Sequence, residues 1–182
     1  MSGASPPASS AGRRGWAFAA LALLVVATTG ARFDNGFVYD DEHVIEDGTV
    51  IHDPSQLGAV WTSRTMFASS ADDGVVASVD TYRPVPITLF MWDAWVSGHA
   101  PWSYHLTNLL LHLGCTWLVF VLGLRLLGAR HRMPVLYGAA VFAVHPWSVE
   151  AHVWINGRSD PAALLCLLAA ALAMLRAERV DP

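Results

Sequence analysis

Lysine is absent from the 182 residues, and all eleven basic side chains are arginine. With the heavy use of alanine this reads as codon bias, and it carries no mechanism. Charge of either sign is scarce. Only 14% of residues are charged and 54% are hydrophobic, whereas a soluble domain carries roughly a quarter charged residues. That balance argues against an ordinary soluble domain and points to the bilayer. With a formal net charge of −4, the chain is expected to have no nucleic-acid partner. The two cysteines, Cys115 and Cys166, lie inside apolar runs. They read as small lipid- or bundle-facing residues, not as a disulfide or a metal pair. No segment recurs at a period of roughly 20 to 50 residues, which excludes a repeat array within the chain.

What is present in quantity is apolar sequence. A helix crossing the hydrocarbon core takes about 20 mostly apolar residues. Four stretches are candidates: 15–31, 105–127, 134–149 and 161–176. The second is the cleanest; the others are short, and the third contains His145-Pro146 near its far end. The first also fits a cleavable signal peptide, with Arg13-Arg14 before an Ala/Leu core and Thr28-Thr29-Gly30-Ala31 after it. The later apolar segments favour an uncleaved signal-anchor. A further stretch, 84–98, is apolar but short and carries Asp93, so it reads as an interfacial helix anchored by Trp92 and Trp95.

Arginine placement predicts the orientation. Arg13 and Arg14 precede the first segment, Arg125, Arg130 and Arg132 surround the turn between the second and third, and Arg176 and Arg179 follow the fourth. These alternate as expected if both termini are cytoplasmic. The expected fold is an all-α polytopic protein of the plasma (inner) membrane with about four transmembrane helices. Residues 1–14 form a disordered cytoplasmic tail, 32–104 a long extracytoplasmic loop, 150–160 a second one, and 177–182 a cytoplasmic end. The long loop holds eleven of the fifteen acidic residues against three arginines.

Three stretches fall on the external side. The first, FVYDDEHVIED (residues 37–47), packs five carboxylates into eleven residues. Such a cluster suits a solvated surface, and equally a divalent cation. Adjacent Asp40 and Asp41 point to opposite sides of an extended chain, which suggests one base and one supporting residue. The second stretch places His105, Asn108 and His112 at i, i+3 and i+7, one face of a helix. Polar groups at that depth face the bundle interior, so they read as a hydrogen-bonding strip and not as a metal site, for want of a third spaced ligand. They would also suit the polar path of a transporter. In the third stretch, HPWSVEAHVWINGRSD (residues 145–160), Pro146 ends the helix before it. Asp160-Pro161 has the form of an N-cap followed by proline at the first helical position. Arg158 beside that helix start suits a phosphate, or an interfacial arginine reaching for the headgroups.

Taken in order, FVYDDEHVI, YRPV, YHLTNLLLHL and HPWSVEAHVWINGRSD resemble the N-terminal membrane region of the transmembrane and tetratricopeptide-repeat-containing O-mannosyltransferases. The bacterial relatives of that group belong to the type C glycosyltransferase (GT-C) superfamily. The resemblance covers residues 33–175 or so. It implies part of a GT-C fold that transfers a sugar from a polyprenyl-phosphate carrier to an extracytoplasmic protein or glycan hydroxyl, with inversion. By similarity Asp40 takes the general-base position and Asp41 the supporting one. Glu150, Arg158, Asp160 and His145 fall to the substrate and lipid phosphate. The resemblance names no definite cofactor, and a divalent cation would fit. Such enzymes have about twice as many helices, so further helices or a second polypeptide are expected to complete the site. A non-catalytic remnant, an interaction subunit or a transporter fragment stand as the alternatives.

Overall fold

The computed structural model describes residues 10–29, 33, 35–62 and 82–178. The tail before residue 10, the loop stretch 63–81 and the end after residue 178 lie outside the described residues. Every element among those described is helical. They run α1 (Ser10–Thr29), a one-turn π-helix (Glu42–Glu46), α2 (Thr49–His52), a 3-10 turn (Pro54–Gln56) and α3 (Leu57–Thr62). After the gap come α4 (Pro84–Ser97), α5 (Trp102–Leu127), a 3-10 turn (Ala129–His131), α6 (Arg132–Val144), α7 (Ser148–Val153), a 3-10 turn (Ile155–Arg158) and α8 (Ser159–Ala177).

Two stretches, Trp102–Leu127 and Ile155–Ala177, are long and apolar enough to cross a membrane. The apolar part of α1, Gly15–Thr29, is shorter. At 1.5 Å per residue, the 13 residues of α6 reach only about 20 Å. α6 stops at Val144 because Pro146 has no N–H to continue the ladder. Helix α8 begins at Ser159, out of the preceding 3-10 turn. Asp160, which the sequence suggests as the cap, therefore lies in the first turn, two residues past the observed cap Arg158. There its charge still complements the positive end of the helix dipole.

α5 is the central element and packs against α1, α4, α6, α7 and α8. Ala17 and Leu21 of α1 meet Phe120 of α5 and Val135 and Ala139 of α6. Further along, Val25 meets Leu109 and Ala143. α1 and α6 thus run antiparallel to α5. Cys115 Sγ against the Pro161 carbonyl, 3.2 Å away, sets α8 parallel to α5. This up-and-down arrangement gathers Arg125, Arg130, Arg132 and Arg176 at one end of the bundle. Asp41, Asp93, Glu150 and Asp160 gather at the other.

A second core caps that acidic end. Val44, Ile45, Ile51 and Val60 of the π-helix, α2 and α3 pack on Ile87, Phe90, Met91 and Ala94 of α4, on Tyr104 of α5 and on Ile155. Two prolines in its first turn start α4, and Gly98, at φ +62°, ends it by donating its N–H to the Ala94 carbonyl at 2.8 Å. The opposite face of α4 shows Trp92 and Trp95, 58% and 71% exposed, with ring centroids 5.1 Å apart.

Candidate functional site: an acidic cavity at the bundle mouth

Residues 35–38 form no regular element, and the chain then turns at Tyr39, whose φ of 54° is the one positive value outside glycine among the described residues. A bulky residue there is strained. The turn separates the two aspartates. Asp40 remains exposed, whereas Asp41 is 1% exposed. Asp41 Oδ1 accepts the Asn156 N–H at 2.9 Å, and Oδ2 accepts the Val38 N–H at 3.4 Å. Burial pushes the Asp41 carboxyl up to about 6 against the pull of those two N–H donors, and the neighbouring Asp40 adds to the rise. Desolvation therefore outweighs the hydrogen bonds here.

Asp40 and Asp41 line a cavity of about 730 Å³ together with Asn35, Tyr39, His105, Glu150 and Trp154. Among the described residues, three carboxylates, an imidazole and the Tyr39 phenol are its ionisable lining, and no arginine lines it. Such a lining accepts hydrogen bonds from hydroxyl groups and offers aromatic faces. Among the described residues it holds no fixed cation to meet a phosphate directly.

Arg158, which the sequence directs toward a phosphate, is 0% exposed and does not face this cavity. Its Nη2 lies 2.6 Å from Asp93 Oδ2 and donates to the Tyr104 carbonyl at 3.0 Å. Nε donates to Asn108 Oδ1 at 2.8 Å, and the guanidinium stands 4.2 Å over the Phe90 ring. Asp93 Oδ1 in turn accepts from Thr107 Oγ1 at 2.6 Å. A buried charge needs such partners, and four of this arginine's contacts are internal.

The strip on α5 divides its work among three segments. His105 Nε2 donates to the Asn35 carbonyl at 3.1 Å, holding the segment before the aspartates. Asn108 Nδ2 donates to the carbonyls of Trp154 and Ile155 at 3.0 and 3.2 Å. His112 Nε2 donates to the Ala143 carbonyl at 2.9 Å, where α6 ends. The His112 ring stacks on His152, centroids 4.0 Å apart, and His152 Nδ1 bonds the Ser148 carbonyl.

α7 is a thin wall. Glu150 and Val153 face the acidic cavity, whereas Ser148 and Ala151 face a second one of about 500 Å³. His145 and Asp160 border this second cavity, which is otherwise lined mainly by apolar residues of α5, α6 and α8. The structure thus brings Asp40, Asp41, Glu150 and His105 together and sets His145 and Asp160 apart from them. Among the described residues, no group of three His, Cys, Asp or Glu side chains is placed to hold a metal ion.

Sequence reasoning missed the parts played by Asp93, Trp154 and the Asn156 N–H. Asp93 left a signal, a lone charge in an apolar helix, which calls for a buried partner. The Asn156 donor is main chain and leaves none. Gly157 behind it has a steric reason, since a Cβ there would meet the Glu150 carbonyl oxygen at 2.6 Å.

The chain resembles protein O-mannosyl-transferases at 27–34% identity over 84–88% of its length. Protein O-mannosyl-transferase Tmtc1 of Drosophila melanogaster is 34% identical over 157 residues, which is 86% of this chain and 17% of that protein. Protein O-mannosyl-transferase Tmtc2 of the same species is 33% identical over 155 residues, 85% of this chain and 16% of that one. Human protein O-mannosyl-transferase TMTC4 is 28% identical over 165 residues, 84% of this chain and 22% of that one. The chain therefore spans between 16% and 22% of the length of these relatives. No family model matches the chain, and no solved structure matches it.

Proposed function

We propose that the chain forms the acceptor side of a GT-C membrane glycosyltransferase that moves a sugar from a polyprenyl-phosphate carrier to a protein hydroxyl, with inversion. The observation that carries this reading is that Glu150, distant in sequence from Asp40 and Asp41, shares one cavity with them in a chain that resembles O-mannosyltransferases. Asp40 is the accessible base. It takes the proton from the acceptor hydroxyl as that oxygen bonds the anomeric carbon, and the carbon–phosphate oxygen bond breaks with its electron pair leaving on the phosphate. A phosphate leaves without protonation, so one base suffices. Asp41 holds the segment in place, and Glu150 accepts substrate hydroxyls. The second cavity, bordered by His145 and Asp160, is assigned to the lipid carrier, whose chain its apolar lining suits. Arg158 contributes positive field from within the wall rather than a contact. Direct phosphate contacts fall to further helices, to a second polypeptide or to a divalent cation.

In this reading α1, α5, α6 and α8 all span the plasma (inner) membrane, the arginine end is cytoplasmic, and α4 lies at the outer interface on Trp92 and Trp95. Membranes carrying the chain would be given polyprenyl-phosphate-linked radiolabelled mannose and a Ser/Thr peptide. Asp40→Asn should lower transfer by roughly 10²-fold or more, the contribution of a general base. Unchanged transfer in that variant removes Asp40 from the role. A second reading, a non-catalytic subunit, is favoured by Arg158 being buried on Asp93 instead of facing the acidic cavity. Wild-type membranes with no transfer above mock membranes would select it.

A further inference from the structure

We propose that Asn108 is a positioning residue for the acidic cavity: it couples the buried Asp93–Arg158 ion pair to the 154–158 turn, so that the Asn156 N–H is held on Asp41. The fully buried amide of Asn108 is used on both sides. Its oxygen accepts from Arg158 Nε at 2.8 Å, and its nitrogen donates to the consecutive carbonyls of Trp154 and Ile155 at 3.0 and 3.2 Å. The Ile155 carbonyl and the Asn156 N–H are two ends of one planar peptide, so holding the carbonyl orients that N–H, which reaches Asp41 Oδ1 at 2.9 Å. An amide is one of the few side chains that supplies an acceptor and two donors from adjacent atoms. Aspartate would keep Arg158 but lose both donors, and leucine would lose everything. The ion pair fixes the oxygen end, because Arg158 is itself clamped by Asp93 and the Tyr104 carbonyl. Asn108 touches neither the cavity nor a substrate and acts through Asp41. Its bearing on transfer rests on the reading of Asp40 and Asp41 given above, whereas the coupling itself does not.

The test uses the full chain in nanodiscs, labelled with ¹³C at the aspartate carboxyl carbons. The Asp41 resonance is identified by its loss in Asp41→Asn. The charged and titratable groups around Asp41 are Asp40, Glu150, His105 and Arg158, and neither test variant replaces any of them. In Asn108→Ala the Asp41 midpoint should rise by about one pH unit from its value near 6, as an N–H donor to the carboxylate is released. Hydrogen exchange in the 154–158 segment should quicken at the same time. Asn108→Asp keeps the side-chain volume and the Arg158 partner, and should quicken the same exchange even if the alanine variant fails to fold. A lower melting temperature with the midpoint and local exchange unmoved would reduce Asn108 to a packing residue and overturn the proposal. A midpoint that falls would mean that water enters the site, and it overturns the proposal as well. Absent transfer in the wild type would sink the functional reading but leave this coupling standing.

Discussion

Asp40 and Asp41 are neighbours in sequence with opposite physical chemistry in the fold. Their clustering with Glu42, Glu46 and Asp47 was plain in the sequence, and so was the argument that adjacent carboxylates cannot both reach one atom. Which of them would be desolvated was not, because that depends on Asn156, far along the chain. The consequence for pH has a definite sign. The folded-state pKa of Asp41 is raised to about 6 from 3.8, so the folded chain binds more protons than the unfolded one between those values. Its favourable contribution is complete below the unfolded value and is lost as pH rises through about 6. The loss amounts to on the order of 3 kcal/mol. In Asp41→Asn that decline should vanish. Unfolding in detergent, followed by tryptophan fluorescence at pH 4 and pH 7, should show wild type losing stability relative to the variant as pH rises. A parallel course for the two would contradict the assignment.

Between elements, the buried pair of Asp93 on α4 and Arg158 at the entry to α8 ties the outer cap to the bundle. The apolar runs that became α1, α5 and α8 were legible because lipid-soluble helices need long unbroken hydrophobic stretches. The end of α6 was legible from Pro146. The six-residue α7 and the one-turn π-helix were not, since segments that short carry no periodicity. Arg158 was read as a surface group because nothing in its own neighbourhood reveals Asp93. Removing one partner of a buried pair leaves a bare charge, which costs about 3–5 kcal/mol. Arg158→Met should therefore be severe, and adding Asp93→Leu to it should recover a large part of the loss. Denaturation of the two single variants and the double variant measures this. Additive losses would mean that the two side chains do not act as a pair.

At the scale of the whole molecule, charge is sorted by end: arginines about the 128–131 turn and the finish of α8, carboxylates at the cap. If the acidic mouth is extracytoplasmic, then in a chain with Cys115 and Cys166 replaced by alanine, Tyr39→Cys should react with a membrane-impermeant maleimide on intact cells. Ala129→Cys should react only after permeabilisation. The reverse pattern would invert the topology. Local patterns in the chain were enough to read the helical class and the concentration of acidic residues between the first two apolar runs. Hydrophobic length and arginine spacing are properties of single segments and need no partner. Only the tertiary structure decided that Asp40, Asp41, Glu150 and His105 share a cavity, that His145 and Asp160 border another, and that Arg158 is spent on Asp93. Those outcomes depend on contacts between residues far apart in the chain, and on the cost of leaving a charge buried without a partner.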